Sequence, residues 1–455
     1  MNNKLTADVV VVGAGFAGLS AALEARRCGA SVILLCDRGP LANNSAMSGA
    51  VFAMAGTPVQ ENRGIKDSPE LFRQDLMSAS DNKADSEMVS TFVNATGEIY
   101  RWLTGLGAEF PILLSQVGHG VSRLHAEVSE GDTGLGRGCR LIKLMQTAAK
   151  SQGVDVHMGT PVIGLLTNEK GTVMGVEAED KEEGKLEIKA KRGVVLAAGG
   201  FARDEDMLRK YAPGLLGLPV GSAAGSTGDG IRMGMEVGAA AANLDAAVLL
   251  PTVYGAAGKG AIISLALYKL LSEGIVVNKL GRRYMDENIS FYRAAGELIL
   301  QPDRLAFVIF DSETLKDAAL EDEPLIAAAS PEELALKLGI ESSALIRTVI
   351  DFNRTVPQGV SESPLQKRPL RGSLFAVRLT SRLLFTYGGL KTNVRTQVIY
   401  QSGHVIRGLF AAGDNVTGIC GPSNGYNAVS GYLTGCGNSA AVVFGRIAGR
   451  NAAEG

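Results

Sequence analysis

The chain has 455 residues, 46% of them hydrophobic, which is enough for two compact domains whose cores need no disulfide support. A formal charge of −2, with Lys and Arg scattered throughout, offers no basic stripe for nucleic acid or for an anionic membrane surface. Five cysteines without CxxC or CxxCH spacing, and four histidines without HxxxH or a Cys–His cluster, argue against a disulfide framework, an iron–sulfur or haem site, and a metal site. No apolar run reaches membrane-spanning length and no leader pattern precedes the first strand, so the expected setting is the cytoplasm and the expected partner a small molecule.

Asp8 to Val12 reads as a short buried strand, a glycine turn follows, and Leu19 to Cys28 is Ala-rich and helix-favouring up to a stop at Gly29. Ser31 to Leu35 then reads as a second strand, so the pair should be parallel with a right-handed crossover. Strands are expected near Val154–Met158, Val173–Glu177, Leu186–Lys189 and Val194–Ala198, the short ones forming an antiparallel excursion from the main sheet. From Leu249 to Leu384 the texture turns helical, at Pro331–Leu338 and Ser342–Phe352, with one strand at Ala306–Phe310. That stretch is expected to be an inserted domain. After it, β texture returns at Gln397–Tyr400 and Gly408–Ala412, and a helix closes the chain over Val442–Ala453. The expected class is α/β: a Rossmann-like domain made of residues 1–248 and 385–455, with a parallel sheet and a small antiparallel excursion, plus an inserted α+β cap over 249–384.

Gly13-Ala14-Gly15-Phe16-Ala17-Gly18 is a GxGxxG directly after a strand and opening a helix. Gly13 allows the tight turn, Gly15 lets the backbone approach a pyrophosphate, and Gly18 permits close helix–strand packing. Asp37, roughly 20 residues further on at the end of the second strand, can accept hydrogen bonds from a ribose hydroxyl. The pattern points to a dinucleotide and by itself does not separate NAD from FAD. No second such loop occurs downstream.

Further blocks resemble, in order, the flavoproteins that include soluble fumarate reductases and 3-ketosteroid dehydrogenases. They are Asn44-Ser45-Ala46-Met47-Ser48-Gly49, Thr160-Pro161-Val162, Ala197-Ala198-Gly199-Gly200, Thr227-Gly228-Asp229-Gly230, Gly274 to Asn278 with Arg283, Tyr284 and Glu287, Ala412-Gly413-Asp414, and Gly437-Asn438-Ser439. The resemblance spans almost the whole chain and implies dissociable, non-covalent FAD. It implies cofactor contacts from Gly13, Gly15, Ala17, Gly18, Asp37, Asn44, Ser45, Ser48, Gly49, Val162, Ala198, Gly199, Asp229, Gly413, Asp414, Asn438 and Ser439.

Where the resemblance leads one to expect the Arg and His residues that clamp a dicarboxylate, this chain has Phe291-Tyr292, Tyr254, Leu384-Phe385 and Asn424-Gly425, and the proton-relay Arg and Glu fall near Leu270 and Leu267. A dicarboxylate without cationic partners would lie poorly paired in a water-poor cavity, whereas an aromatic, neutral pocket suits a ketone or enone. The expected reaction is dehydrogenation, or its reverse, of a C–C bond beside a carbonyl, with an external electron acceptor or donor. Tyr292 or Tyr254 is expected to move the proton, and Tyr387 or the Gly388-Gly389 backbone to polarise the carbonyl. Two other readings stay open: a carboxylate oxidoreductase using Arg123, Lys269 or Arg293 as its clamp, and an FAD-binding electron carrier without a substrate. His119, Arg123 and His125 are expected on a polar surface loop.

Overall fold

The structure is a computed structural model that describes residues 4–39, 41–128, 137–180, 184–254, 267, 269–316, 325–356, 367–425 and 427–455. It divides into one unit made of 1–248 and 384–455 and a second made of Leu249–Leu383. In the first unit, β1 (Lys4–Val12) enters the glycine loop, α1 (Phe16–Arg27) follows, and β2 (Val32–Cys36) returns parallel to β1. Next come α2 (Asn44–Met47), β3 (Val51–Ala53), α3 (Pro69–Ala79), α4 (Ser86–Gly105), β4 (Ile112–Leu114), β5 (Leu124–Ala126) and α5 (Arg137–Ser151). Strands β3, β5 and β4 form a small antiparallel sheet that the sequence pattern hides, because three-residue strands are too short to show an alternation. β6 (Asp155–Met158) extends the main sheet beyond β2, and β7 (Val162–Thr167), β8 (Val173–Asp180) and β9 (Gly184–Leu196) make the antiparallel excursion.

The segments expected as two strands, Leu186–Lys189 and Val194–Ala198, are one continuous β9. The charged residues between them sit at an irregularity in the β1–β9 register, where Lys191 and Arg192 both reach Asp8. A bulge there turns the charges out of the ladder without ending the strand. α6 (Asp229–Glu236) and β10 (Ala241–Ala242) complete the first pass through this unit.

The second unit holds β11 (Ala247–Val253), whose first residues still belong to the first unit, then β12 (Ile275–Asn278), α7 (Phe291–Ile299), β13 (Ala306–Asp311), β14 (Ile326–Ala328), α8 (Pro331–Leu338), α9 (Ser342–Thr355) and β15 (Leu374–Thr386). Its texture reads as helical with one strand, yet a five-stranded sheet, β11-β15-β13-β12 with β14 on β15, is its centre. β13 is the strand expected at Ala306–Phe310, whereas β12 is buried along its whole length and Arg378, Ser381 and Arg382 break the apolar run of β15, so neither of these two shows a clean period of two. Glu287 explains the Gly274–Glu287 pattern: its carboxylate accepts from Val276 N at 2.8 Å and pairs with Arg283 at 2.7 Å and Lys367 at 3.1 Å.

The chain returns through β16 (Gly389–Leu390), β17 (Gln397–Ile399) and β18 (Val405–Ala411) and closes on α10 (Cys436–Glu454). The main sheet runs β17-β18-β9-β1-β2-β6, with β18, β9, β1, β2 and β6 parallel. α10 begins six residues before the expected Val442, in a run of poor helix formers. Asn438 Nδ2 and Ser439 Oγ hold that first turn by donating to Val51 O at 3.0 Å and Ala53 O at 2.9 Å. Among the described residues no helix is long and apolar enough to cross a membrane.

α1 and α10 pack at backbone distance. A Cβ on Gly445 would lie 2.3 Å from Ala17 O, and one on Gly449 2.1 Å from Ala21 O. Next to this seam Glu24, fully buried, receives Arg27, Arg446 at 3.0 Å and Arg450 at 2.9 Å, while Arg446 also reaches Glu98 at 2.8 Å and lies over the Trp102 ring. Burial pushes the Glu24 carboxyl up, but the hydrogen bonds from Arg27 and Arg450 and the Arg446 charge outweigh it and hold the carboxyl down at about 2. The folded value is depressed, so the stability it contributes is present above the ordinary carboxylate range and is lost as pH falls toward 2. Glu24→Gln is expected to cost about 3 kcal/mol at pH 7. Chemical denaturation of both proteins should show that difference shrinking as pH is lowered below 4.5.

Candidate cofactor-binding and active site

The glycine loop behaves as its spacing requires. Gly13 takes φ +109, and a Cβ there would lie 2.2 Å from Ala197 O, while one on Gly18 would lie 1.8 Å from Gly13 O. Only bare backbone brings β1, α1 and β9 this close. α1 therefore starts at Gly15, which has no side chain to cap it, and Ser45 Oγ accepts from Phe16 N at 3.0 Å. A helix end of this kind favours an anion.

That helix end opens into a cleft. Of the residues expected around a cofactor, Gly13, Gly15, Ala17, Asp37, Asn44, Ser45, Val162, Ala198, Gly199, Asp229, Gly413 and Asp414 line it together. Asp37 is exposed beside Arg38 at the far end, placed to meet a sugar hydroxyl from solvent side. Asn44 bridges three segments: its Oδ1 accepts from Ala223 N at 2.7 Å, and its Nδ2 faces Asp414 at 3.4 Å and Ser222 at 3.5 Å. Asp229 accepts from Thr227 Oγ1 at 2.6 Å and pairs with Arg232.

Five expected residues stand elsewhere. Gly18 is packed under the loop, and Gly49 is on an exposed bend after α2. Ser48 Oγ donates to Ser45 O at 2.8 Å, and Asn438 and Ser439 tie α10 to β3, so these three side chains brace the backbone around the cleft. A second, smaller cavity shares Gly413, Asp414 and Ala441 with the cleft and continues to Phe385, Tyr387, Val416, Gly418, Gly437, Ala440 and Phe444.

Three residues that the sequence reading did not single out shape this region. Asn415 accepts from Ala198 N and donates to Gly199 O at 3.1 Å, fixing the end of β9. Asn43 caps α2 by accepting from Ala46 N at 2.9 Å. Gly138, at the start of α5, donates to Ser48 O at 3.2 Å and leaves no room for a side chain, since its Cβ would lie 2.1 Å from Ser45 O. Asn415 adjoins Asp414 in a block already legible; Gly138 carries no sequence signal at all.

The expected tyrosines are placed differently from one another. Tyr387, in the first unit, is buried; its oxygen accepts from Ile419 N at 2.9 Å and its hydroxyl also bonds Cys420, while burial, first, and that thiol push it well above the ordinary phenol range. Gly389 is held in the β10–β16 pairing. Tyr292 and Tyr254 belong to the second unit, Tyr292 half-buried in the first turn of α7 and Tyr254 56% exposed with its N–H on Arg378 O. The loop expectation for Arg123 and His125 is overturned. Both are fully buried: Arg123 pairs with Asp67 at 2.9 Å and Asp75 at 2.6 Å, and His125 sits in β5 with Thr57 Oγ1 at 2.7 Å from Nε2. Their polar side chains are compensated inside the small sheet and α3, which no local pattern reveals.

The residues fit FAD on their own chemistry. The cleft offers an uncapped helix end for a diphosphate, bare glycine backbone for close approach, an acidic residue at its outer end, and Asp414 where it meets the second cavity. Among the described residues Asp414 has one hydrogen-bond partner, the long contact from Asn44, so its carboxylate has acceptor capacity left for polyol hydroxyls.

Comparison with known proteins agrees. The family model described as the FAD binding domain matches residues 8–436. A probable fumarate reductase of Shewanella frigidimarina is 32% identical over 99% of this chain and 75% of its own length. A urocanate reductase of Eggerthella lenta is 28% identical over 98% of this chain and 74% of its length. Among solved structures, a 3-ketosteroid-Δ4-(5α)-dehydrogenase from Rhodococcus jostii in complex with 4-androstene-3,17-dione aligns over 99% of this chain and 97% of its own, with TM-score 0.85 and 28% identity.

Burial pushes the Asp414 carboxyl up to about 6, against a smaller pull from Asn44. Hydroxyl donors favour the charged form, so cofactor binding must release a proton when it starts below that value. FAD affinity of the deflavinated protein is expected to be level above pH 6 and to fall up to about tenfold per pH unit below it. Asp414→Asn should bind FAD more weakly at pH 8 and lose that pH dependence, as fluorescence titration will read.

Proposed function

Because the chain belongs to the FAD-binding domain family and is therefore an FAD-dependent oxidoreductase acting on carbon–carbon bonds, we propose that its substrate is a neutral carbonyl compound, a ketone or enone. The observation that carries this reading is the lining of the second cavity. Phe385, Tyr387, Val416, Gly418 and Phe444 contribute aromatic and aliphatic surface, and among the described residues that line it Asp414 is the one charged group and there is no Arg, Lys or His. A dicarboxylate placed there would lack partners for its charges, at several kcal/mol per ion. A neutral carbonyl compound loses little on leaving water and gains from the apolar wall.

FAD, when bound, supplies the two-electron acceptor or donor. The chain's own part is to exclude water, orient the substrate and move a proton. Tyr387 forms part of the wall and keeps its proton, because burial holds the phenol neutral and Ile419 and Cys420 hold its oxygen. Proton transfer is assigned to Tyr292, which stands in the first turn of α7, a helix end that favours negative charge. Tyr254, more than half exposed, is the weaker candidate. The external partner is an electron acceptor or donor of small-molecule or protein nature.

A second reading, a fumarate- or tricarballylate-like oxidoreductase acting on the carbon–carbon bond of a carboxylate, is supported by the names of the fumarate and urocanate reductases to which the chain is similar. Arg123 does not serve as its clamp, since Asp67 and Asp75 already hold its guanidinium inside the first unit.

Anaerobic titration of the oxidised holoprotein distinguishes the two. Saturated cyclic ketones are expected to bleach the flavin band, or enones to reoxidise the reduced protein, with dicarboxylates inert at the same concentrations. Tyr292→Phe should slow the productive direction roughly 10²- to 10⁴-fold with FAD content unchanged. A response confined to acids would replace the ketone reading with the second one.

A further inference from the structure

His119 is 8% exposed, and its two ring nitrogens are in different situations. Nε2 lies 3.1 Å from the Thr434 carbonyl oxygen. A carbonyl can only accept, so Nε2 carries the proton and Nδ1 is left as an unprotonated acceptor. Nδ1 is buried and has no hydrogen-bond partner. Burial, then the Arg123 charge, push the ring down to about 4 against Thr434, Asp75 and Asp67, so it stays neutral at pH 7.

The ring is held from several sides. Gly120 N donates to Asp75 at 2.9 Å, Asp75 receives Arg123 at 2.6 Å, and Arg123 lies over the Phe72 ring, whose centroid is 6.0 Å from that of His119. On the other side Gly118 faces Leu433, where a Cβ would lie 2.5 Å from Cδ2. A buried Arg–Asp network thus packs beside the neutral imidazole, through Phe72 and the Gly120 backbone, while the ring faces one backbone carbonyl. That carbonyl belongs to the turn that starts α10. Gly435 follows it with φ 79 as a helix N-cap lacking any side-chain bond, and Gly437, in the first turn, lines the second cavity.

We propose that His119 is a positioning residue for the redox centre: its Nε2–H, by holding Thr434 O, fixes the left-handed turn at Gly435 and so the aim of the α10 N-terminal N–H groups at the flavin ring. The inference rests on the reading that FAD fills the cleft and its ring ends at Gly413, Asp414 and Ala441, where the cleft meets the second cavity that takes the substrate. Reduction adds negative charge to the ring, and the positive end of a 19-residue helix favours that charge. If the turn loosens, the helix end is less well aimed and the preference for the reduced form falls.

The test uses the holoprotein. His119→Leu, which removes the donor, should keep bound FAD but lower the flavin midpoint potential, by about 30 mV if the preference for the reduced form drops tenfold. His119→Gln, whose amide can still donate to Thr434 O, should restore the potential. An unchanged potential in FAD-loaded His119→Leu overturns the proposal, as does an equal shift in both variants, which marks a merely structural role. The wild-type protein offers an independent check should His119→Leu fail to fold. Nitrogen-15 NMR should show His119 as the Nε2–H tautomer without titration between pH 5 and 8, and titration in that range or the Nδ1–H tautomer would overturn the clamp. Absence of FAD from the purified protein is a different outcome, since it removes the underlying cofactor reading itself.

Discussion

The structure depends on backbone meeting backbone without side chains between. Gly13 and Gly18 bring α1 onto β1 and β9, and Gly445 and Gly449 bring α10 onto the same helix from the other end of the chain. A methyl group at any of the four would have to occupy space held by a carbonyl oxygen. The consequences reach the site directly. α1 can point its uncapped N-terminus at the cleft only because it is wedged this tightly, and α10 can lay its first turn beside the second cavity only because its later turns lie against Ala17 and Ala21. Fold closure and cofactor binding are two uses of one seam.

Charge is deployed sparingly around that seam. Glu24, Arg446 and Arg450 pair beside it around the buried Glu24 carboxylate, and Arg123 with Asp67 and Asp75 forms a second knot near the loop that carries His119. Both knots are fully paired, which suits a structural duty, because a buried charge left alone is costly and a paired one specifies geometry. Asp414 is different. It faces the cleft with one long hydrogen bond and a carboxyl raised to about 6, the condition of a group whose partners arrive with a ligand.

What could be read in advance was local. GxGxxG between a strand and a helix announces a crossover and a diphosphate cradle because the turn and the helix start are set within a few residues, Gly18 lying against Gly13 O. The Asn44–Ser45 turn and Asp414 were legible as members of an ordered series of short blocks. Contacts that join distant parts of the chain left no trace: Glu24 and Arg446 are 422 positions apart, and neither looks unusual in its own helix. Arg123 and His125 resembled loop residues because the carboxylates and hydroxyl that allow their burial come from Asp67, Asp75 and Thr57. In the second unit only β13 was legible as a strand, since β11 and β12, buried along nearly their whole length, lack the alternation that marks a half-buried strand.

The central claim is that the α1–α10 seam shapes the cofactor cleft as well as the fold, and FAD titration of deflavinated protein carrying Gly445→Ala or Gly445→Val tests it most directly, with circular dichroism confirming that each remains folded. The account predicts stoichiometric binding by the wild type, weaker binding by Ala, and a loss of 100-fold or more, on the order of 3 kcal/mol, by Val. A folded Gly445→Val protein that binds FAD as tightly as the wild type would contradict it.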